Sequence, residues 1–171
     1  LMEGLGFFNE SGNLFSANGA NLNINKSIGN MVGVGINWNN DPKTPHILSL
    51  AALTALTFQY RYSDGTNDTT GIAIDPDNID DLAGGQTALA NNKWSIQRIY
   101  SFTSNNVKIQ RGVESFDTID GAVAGIATEA FVTEPSIAAN GLLRGFLICK
   151  KGASALNGSD AVFIEAPKSQ A

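Results

Sequence analysis

The sequence predicts a mainly β fold, an antiparallel β-sandwich of the jelly-roll kind with one short α-helix at residues 118–131. Three observations predict it. Several short segments alternate apolar and polar residues, turns rich in Gly and Asn separate these segments, and one stretch repeats apolar residues at helical spacing. With 171 residues, 43% of them hydrophobic, the chain has enough apolar material for a core, so we expect one compact domain.

The composition argues against several classes of function. The single cysteine, Cys149, cannot form an internal disulfide, and together with the single histidine, His46, it cannot complete a structural zinc site, so we expect no metal and no cofactor. Eleven Lys and Arg against sixteen Asp and Glu argue against nucleic acid as a partner. No apolar run approaches the roughly 20 residues of a membrane span, so we expect no membrane insertion.

The first 45 residues are expected to form short strands and turns. Residues 20–28 and 31–36 alternate apolar with polar or small residues, which predicts two half-buried strands, and the two prolines in 41–46 predict a loop. The chain starts at Leu1 without a charged leader, so we expect a piece excised from a longer protein. Asparagine favours turns because its side chain bonds to the nearby backbone. The asparagines concentrated here are Asn9, Asn13, Asn18, Asn21, Asn23, Asn25, Asn30, Asn37, Asn39 and Asn40.

The next predicted strands lie between residues 47 and 62. Residues 47–55 fit either a strand or a two-turn helix, and we favour the strand. Residues 57–62 alternate strictly, with Phe58, Tyr60 and Tyr62 on one face. The Ser-Asp-Gly sequence that follows predicts a turn directly after this strand.

The segment from Asp75 to Asp81 holds four aspartates within seven residues. A calcium loop of the EF-hand type needs a central glycine and a closing bidentate glutamate, and this segment has neither in place. We therefore expect a solvated loop, and ion binding remains the open alternative.

Residues 94–102 and 107–113 are predicted to form an antiparallel hairpin. A loop of two residues and a loop of four residues give the same register, in which Arg98 lies opposite Arg111. Two like charges on an apolar face need a carboxylate or carbonyl oxygens beside them, which predicts a structural charge network. The alternative is an anion site for a sialylated or phosphorylated ligand.

One helix is predicted over residues 118–131, ending before Pro135. Gly121 and Gly125 weaken it by about 1 kcal/mol each, which indicates that close packing on a sheet stabilises it. Its apolar residues recur at spacings of three and four: Phe116, Ile119, Val123, Ile126 and Ala130.

Two further strands are predicted near the C-terminus. Residues 142–150 are apolar on both faces, which is typical of a central strand. A turn-rich linker follows, and residues 161–165 form the last predicted strand.

No catalytic residue can be assigned from the sequence. His46, the base that a Ser-His-acid triad would require, lies in a proline-containing loop, and the chain has no Gly-x-Ser-x-Gly turn. The Gly33-Val34-Gly35 sequence lacks the third glycine and the helix of a dinucleotide site. We therefore expect a protein that is not an enzyme, although a pair of carboxylates acting on glycans stays open.

Several segments of the second half carry a resemblance to a known class of proteins. They are Phe-Gln-Tyr-Arg-Tyr at 58–62, Ile-Asp-Pro-Asp-Asn at 74–78, Trp-Ser-Ile-Gln-Arg-Ile-Tyr-Ser-Phe at 94–102, Ile-Gln-Arg-Gly at 109–112, Asn-Gly-Leu-Leu-Arg-Gly at 140–145 and Ala-Val-Phe-Ile at 161–164. Over roughly residues 45–166 the chain resembles the C-terminal head region of phage tail-fibre proteins and related virion fibres, including those of large DNA viruses and virophages. The resemblance implies a β-rich homotrimer at the tip of a fibre, on the virion surface and thus extracellular.

The expected function is therefore that of a non-enzymatic distal fibre head that attaches to a host surface glycan or protein. The head region would span residues 46–171, with residues 1–45 continuous with a fibre shaft. A knob that only trimerises the fibre is the main alternative, and a glycan-processing enzyme is another. Core packing is the competing interpretation for Trp38. The candidate receptor-contact residues are Trp38, Asn39, Asn40, Asp64 and Asn67.

Overall fold

The computed structural model describes residues 6–166, so Leu1 and the rest of the first five residues lie outside the described part, as do residues 167–171. The protein is mainly β, with several antiparallel sheets and two short helices in the described part, which confirms the predicted class. The strands are Phe7–Gly12 (β1), Phe15–Ala17 (β2), Ile24–Lys26 (β3), Gly29–Gly33 (β4), Ile47–Leu50 (β5), Gln59–Tyr60 (β6), Asn78–Asp80 (β7), Gln86–Ala88 (β8), Trp94–Ser101 (β9), Val107–Arg111 (β10), Leu142–Lys150 (β11) and Ala161–Glu165 (β12), and the helices are Ile119–Thr128 (α1) and Pro135–Asn140 (α2).

A five-stranded sheet with the order β12-β11-β9-β10-β6 forms the centre of the molecule. Its pairs are antiparallel except for β10 and β6, which run parallel. Every residue of β9 is buried, because one face of the sheet packs on β2 and β3 and the other packs on α1. The prediction that residues 142–150 form a central strand is confirmed.

Three smaller sheets surround the central one: β1-β4-β5, β2-β3 and β7-β8. Met31 and Leu50 of the first small sheet pack against Leu142 of β11. The predicted strand at 31–36 is shifted, since β4 covers Gly29–Gly33 and Ile36 lies in a turn. Residues 47–50 form a strand, as we favoured for this segment.

The predicted helix is confirmed as α1, and its N-terminus is capped by Thr118, whose hydroxyl accepts a 3.0 Å hydrogen bond from Gly121 N. The predicted buried face is partly wrong, because Val123 is 43% exposed and Gly125 is buried in its place. A Cβ on Gly125 would lie 2.3 Å from the Phe116 ring, so the helix does depend on close packing.

The second helix, α2, was not predicted. Pro135 was expected to lie just beyond the preceding helix, but it occupies the first turn of a new one. Proline is favoured there because an N–H group in the first turn has no acceptor within the helix, so nothing is lost when proline lacks it. Glu134 caps α2 by accepting hydrogen bonds from Ser136 N and Ile137 N.

The hairpin register differs from the prediction by one residue. Arg98 lies opposite Gln110, and Arg111 lies opposite Gln97. The predicted pairing of the two arginines is therefore wrong.

The loop between β9 and β10 explains this shift. A 3.1 Å hydrogen bond from Phe102 N to Asn106 O closes a loop of three residues, 103–105. Asn105 accommodates the odd length by adopting a left-handed φ of 67°. A change of one residue in register moves a side chain to the opposite face of the sheet.

The two arginines consequently lie on opposite faces, each with its own carboxylate. Arg98 pairs with Glu129 and Arg111 pairs with Asp75. The expected charge network therefore exists as two separate ion pairs, and the alternative of one anion site between the arginines is wrong.

A buried polar cluster ties the turn after β1 to β3. Lys26 Nζ donates to Asn13 Oδ1 at 2.9 Å, and Asn13 Nδ2 donates to Asn9 Oδ1 at 2.8 Å. Lys26 Nζ also donates to the backbone oxygen of Ser27 at 3.2 Å. Burial lowers the pKa of Lys26 from its usual 10.5 to about 8.

Stability is expected to rise with pH above pH 8, because unfolded Lys26 keeps its proton where the folded side chain has lost it. Lys26→Met removes this titration, so the stability of the wild type relative to the variant should increase between pH 8 and pH 10. Urea unfolding of both proteins across this range measures the difference, in which the titration of all other groups cancels. Parallel curves for the two proteins would contradict the lowered pKa.

Within the described residues, no helix is both long enough and apolar enough to cross a membrane.

Candidate functional site

A concave pocket of about 260 Å³ lies where Phe58 and β6, the loop at 68–75, β8 and β10 meet. We call it the Arg111 pocket. Its walls combine aromatic rings with carboxylate, hydroxyl and amide groups, a mixture typical of small-ligand sites. The lining residues are Phe58, Tyr60, Asp68, Thr69, Gly71, Ala73, Asp75, Gln86 and Arg111.

The buried side chain of Arg111 is one of those that line this pocket. Its guanidinium carbon lies 3.6 Å from the centre of the Tyr60 ring, in a cation–π contact. Its Nη2 donates to Asp75 Oδ2 at 2.9 Å, and its Nη1 donates to the Tyr62 hydroxyl at 3.4 Å. The guanidinium is thus fixed by one ion pair and two aromatic residues.

Tyr60 and Gln97 form hydrogen bonds to the backbone of Asp75. The Tyr60 hydroxyl donates to Gln97 Oε1 at 2.8 Å and accepts from Asp75 N at 2.9 Å, while Gln97 Nε2 donates to Asp75 O at 2.7 Å. Burial raises the pKa of Tyr60, so this hydroxyl remains a donor at neutral pH. These bonds fix the backbone position of Asp75 relative to Arg111.

Asp68 provides the second carboxylate of the pocket. Its Oδ2 accepts a 3.1 Å hydrogen bond from the Tyr62 hydroxyl, and its Oδ1 accepts from Thr69 N at 2.8 Å. Burial raises the pKa of Tyr62, which keeps this donor protonated. Asp68 and Asp75 therefore present oriented acceptors, and Gln86 at the rim adds an exposed amide.

The segment from Asp75 to Asp81 is not the solvated loop that was expected. Asp80 is only 4% exposed, because it lies in β7 and accepts a 3.0 Å hydrogen bond from Ser63 N. Asp75 is engaged by Arg111. Among residues 6–166, no three His, Cys, Asp or Glu side chains come together as a metal-holding group.

The predicted contact residues Asp64 and Asn67 share the turn after β6, close to the loop that enters the pocket. Hydrogen bonds from Thr66 lower the pKa of Asp64 and fix its carboxylate. Asn67 Oδ1 accepts a 2.8 Å hydrogen bond from Lys108 Nζ. Both residues are exposed at the surface.

The other predicted contact residues, Trp38, Asn39 and Asn40, lie in the turns that follow β4. Trp38 is 60% exposed, so the alternative of core packing is wrong for this residue. These three residues lie in the connection between β4 and β5 of the first small sheet, whereas Asp64 and Asn67 belong to the turn beside the Arg111 pocket.

Arg111 was singled out in the sequence for a pairing that does not occur, while Thr69 and Gln86 were not assigned to a site. They come from separate turns and strands whose contacts are made only in the folded chain. The strict aromatic alternation at 57–62 was the available signal, since it places Tyr60 and Tyr62 on the face that Arg111 covers.

Comparison with family models, with characterised proteins and with solved structures gives no match to this chain. The function is therefore inferred from the geometry of the site and from the sequence.

Proposed function

We propose that this chain is the distal head domain of a homotrimeric viral fibre, that its sheets form a β-sandwich, and that it attaches to a host surface glycan. The observation that carries the proposal is the Arg111 pocket, in which aromatic residues lie beside fixed carboxylate and amide groups. Its location would be the virion surface, outside the cell.

A glycan fits this pocket because sugar hydroxyls donate hydrogen bonds to acceptors such as Asp68 and Asp75, while the face of the sugar ring that carries C–H groups packs on apolar groups. The volume of about 260 Å³ falls just below the ~300–1,000 Å³ that is usual for drug-sized ligands. It suits a terminal sugar rather than a long oligosaccharide.

Binding rather than catalysis is the better match to these carboxylates. Asp75 accepts hydrogen bonds from Arg111 and Asn78, and Asp68 accepts one from Tyr62. Carboxylates held in this way by protein donors act as fixed acceptors, whereas glycan hydrolysis needs one protonated carboxyl group as general acid. A single such site binds weakly, and three heads on one fibre would raise the avidity.

Gln86→Ala is expected to weaken glycan binding, because it removes an amide at the rim without touching the buried network. The matched control is Thr87→Ala, since Thr87 is equally exposed on β8 but is not part of the pocket wall. On an array of host-type glycans, the control should bind like the wild type, and Gln86→Ala should lose about fivefold or more, as expected for one hydrogen bond of about 1 kcal/mol.

Light scattering measures the mass of the particle, and a monomer at micromolar concentration would contradict the fibre proposal. A trimer that binds no glycan would favour the structural knob.

Loss of binding with Trp38→Ala and not with Gln86→Ala would move the contact to the turns after β4. Turnover of a polysaccharide that disappears with Asp68→Asn would instead support the enzyme alternative.

A further inference from the structure

Arg144 is a buried arginine that the Arg111 pocket does not use. It lies within β11 between apolar neighbours, and its side chain is 0% exposed. Pairing with β9 skips this residue, since Leu143 lies opposite Tyr100 and Gly145 opposite Ile99. Such β-bulges redirect a side chain and are common next to functional sites.

The guanidinium of Arg144 is largely unsatisfied. Its Nε and Nη2 find no hydrogen-bond acceptor among residues 6–166, and its Nη1 makes one long bond of 3.4 Å to Ala166 O. Glu165 Oε1 lies 3.5 Å from Nη2, which makes a long ion pair without hydrogen-bonding geometry, and the Glu165 side chain is 53% exposed. A buried guanidinium with one hydrogen bond and one long ion pair among the described residues is costly, which makes this arrangement unusual.

The two donors that make no hydrogen bond to residues 6–166, Nε and Nη2, have a specific geometry. The Nε–H and Nη2–H bonds lie on the same edge of a planar guanidinium and point in nearly the same direction, which matches the two oxygens of one carboxylate. A single planar ligand group would satisfy both.

Arg144 is one of the residues that line a cavity of about 150 Å³. The cavity lies between β2 and β12, with Phe15 and Phe163 among its walls, and the partly exposed Leu14 and Glu165 also line it. Glu165 ends β12, so its side chain can turn away from Arg144 without disturbing a buried element.

We propose that Arg144 anchors a second ligand site, which takes a carboxylate in a bidentate pair with Nε and Nη2 while Glu165 turns outward to admit it. The remainder of the ligand lies against Leu14 and Phe163. An acidic sugar is the natural carrier of such a carboxylate, and this choice of carrier rests on the proposed attachment function. A carboxylate fits better than phosphate, because a dianion would meet stronger repulsion from Glu165.

Glucuronic acid and its neutral methyl ester are the matched probes, with binding followed by NMR titration. The ester should bind at least about tenfold more weakly than the acid, because a charge-assisted pair of about 1.5–3 kcal/mol is lost. Arg144→Lys should reduce glucuronate binding by a similar factor, since lysine keeps the charge but cannot donate two parallel hydrogen bonds to one carboxylate. Glu165→Gln should tighten binding, because the competing carboxylate is gone. Inorganic phosphate that binds as tightly as glucuronate would overturn the carboxylate assignment.

Thermal unfolding without ligand gives an independent readout. Arg144→Met should not lower the melting temperature, because it removes a buried guanidinium that has few hydrogen-bond acceptors among residues 6–166. A clear fall would show that Arg144 contributes to folding through its contacts within the chain and would overturn the proposal.

The two proposals fail in distinguishable ways. Arg144→Lys should leave the binding of neutral glycans unchanged, because Arg144 lies outside the Arg111 pocket. Absence of neutral-glycan binding together with retained glucuronate binding would overturn the first site and keep the second. Equal binding of the acid and its ester would overturn the second site alone.

Discussion

Glu129→Gln is expected to lower the free energy of unfolding by about 3–5 kcal/mol, because it leaves a buried arginine without its counter-charge. Arg98 Nη1 lies 2.5 Å from Glu129 Oε1, and the two side chains are 6% and 0% exposed. The guanidinium also lies over the Phe131 ring at 3.8 Å, so water has little access to it. Gln keeps the shape of the residue, which makes the lost charge the main change.

Glu129 also joins α1 to the segment after β10. Its Oε2 accepts hydrogen bonds of 3.1 Å from the backbone N–H groups of Val113 and Glu114. Gln can preserve only part of this pattern, since its NH₂ group cannot accept. The substitution should therefore weaken both the end of α1 and the segment after β10.

Urea unfolding measures this effect, and the exposed pair Lys93–Asp117 supplies the control. Asp117 is 80% exposed, so Asp117→Asn should cost less than about 1 kcal/mol. The double variant Arg98→Met with Glu129→Gln should be more stable than the sum of the two single losses predicts, because neither charge is then left unpaired. If Glu129→Gln lowers the free energy of unfolding no more than Asp117→Asn does, Glu129 does not act as the buried counter-charge of Arg98.

This ion pair shows what the sequence could and could not predict. The sequence indicated that Arg98 lies on an apolar face and therefore needs a carboxylate, which is confirmed. It did not identify Glu129 as the partner. The assumed hairpin loop of two or four residues placed Arg98 and Arg111 on one face, where they would have shared their acceptors. The left-handed conformation of Asn105 makes the loop odd, and a single backbone angle decided the face on which each arginine lies.

Long, regular patterns predicted the fold well, whereas contacts between distant segments were not predictable. The strands Trp94–Ser101 and Leu142–Lys150 were predicted closely, because their many apolar residues favour one arrangement. The Arg111 pocket takes Asp68, Gln86 and Arg111 from three separate segments. No local pattern records that these segments meet, so the pocket required the folded chain.

Gly12→Ala is expected to destabilise the protein by about 2–6 kcal/mol, which combines about 1–3 for a strained φ with about 1–3 for overpacking. Gly12 has a φ of 60°, and a Cβ there would lie 1.9 Å from Ile28 O and 2.7 Å from Gly29 Cα. Both obstacles are backbone atoms, so no side chain can move aside. β1 and β4 would have to separate at this pair.

The buried lysine makes the loss larger than a local clash. Asn13 follows Gly12 directly, has a φ of 54° and accepts the hydrogen bond from Lys26 Nζ. Moving Gly12 displaces Asn13, which leaves Lys26 buried with one acceptor fewer. The strained turn and the buried amine therefore depend on each other.

Gly35→Ala separates strain from clash, because Gly35 has a similar φ of 66° and no atom within 4 Å of a Cβ. It should cost about 1–2 kcal/mol, the price of left-handed backbone alone. The excess for Gly12→Ala over Gly35→Ala, measured by urea unfolding, then reports the contact between β1 and β4. Equal losses at the two positions would mean that the strands separate without cost, which contradicts the close pairing of Gly12 with Gly29.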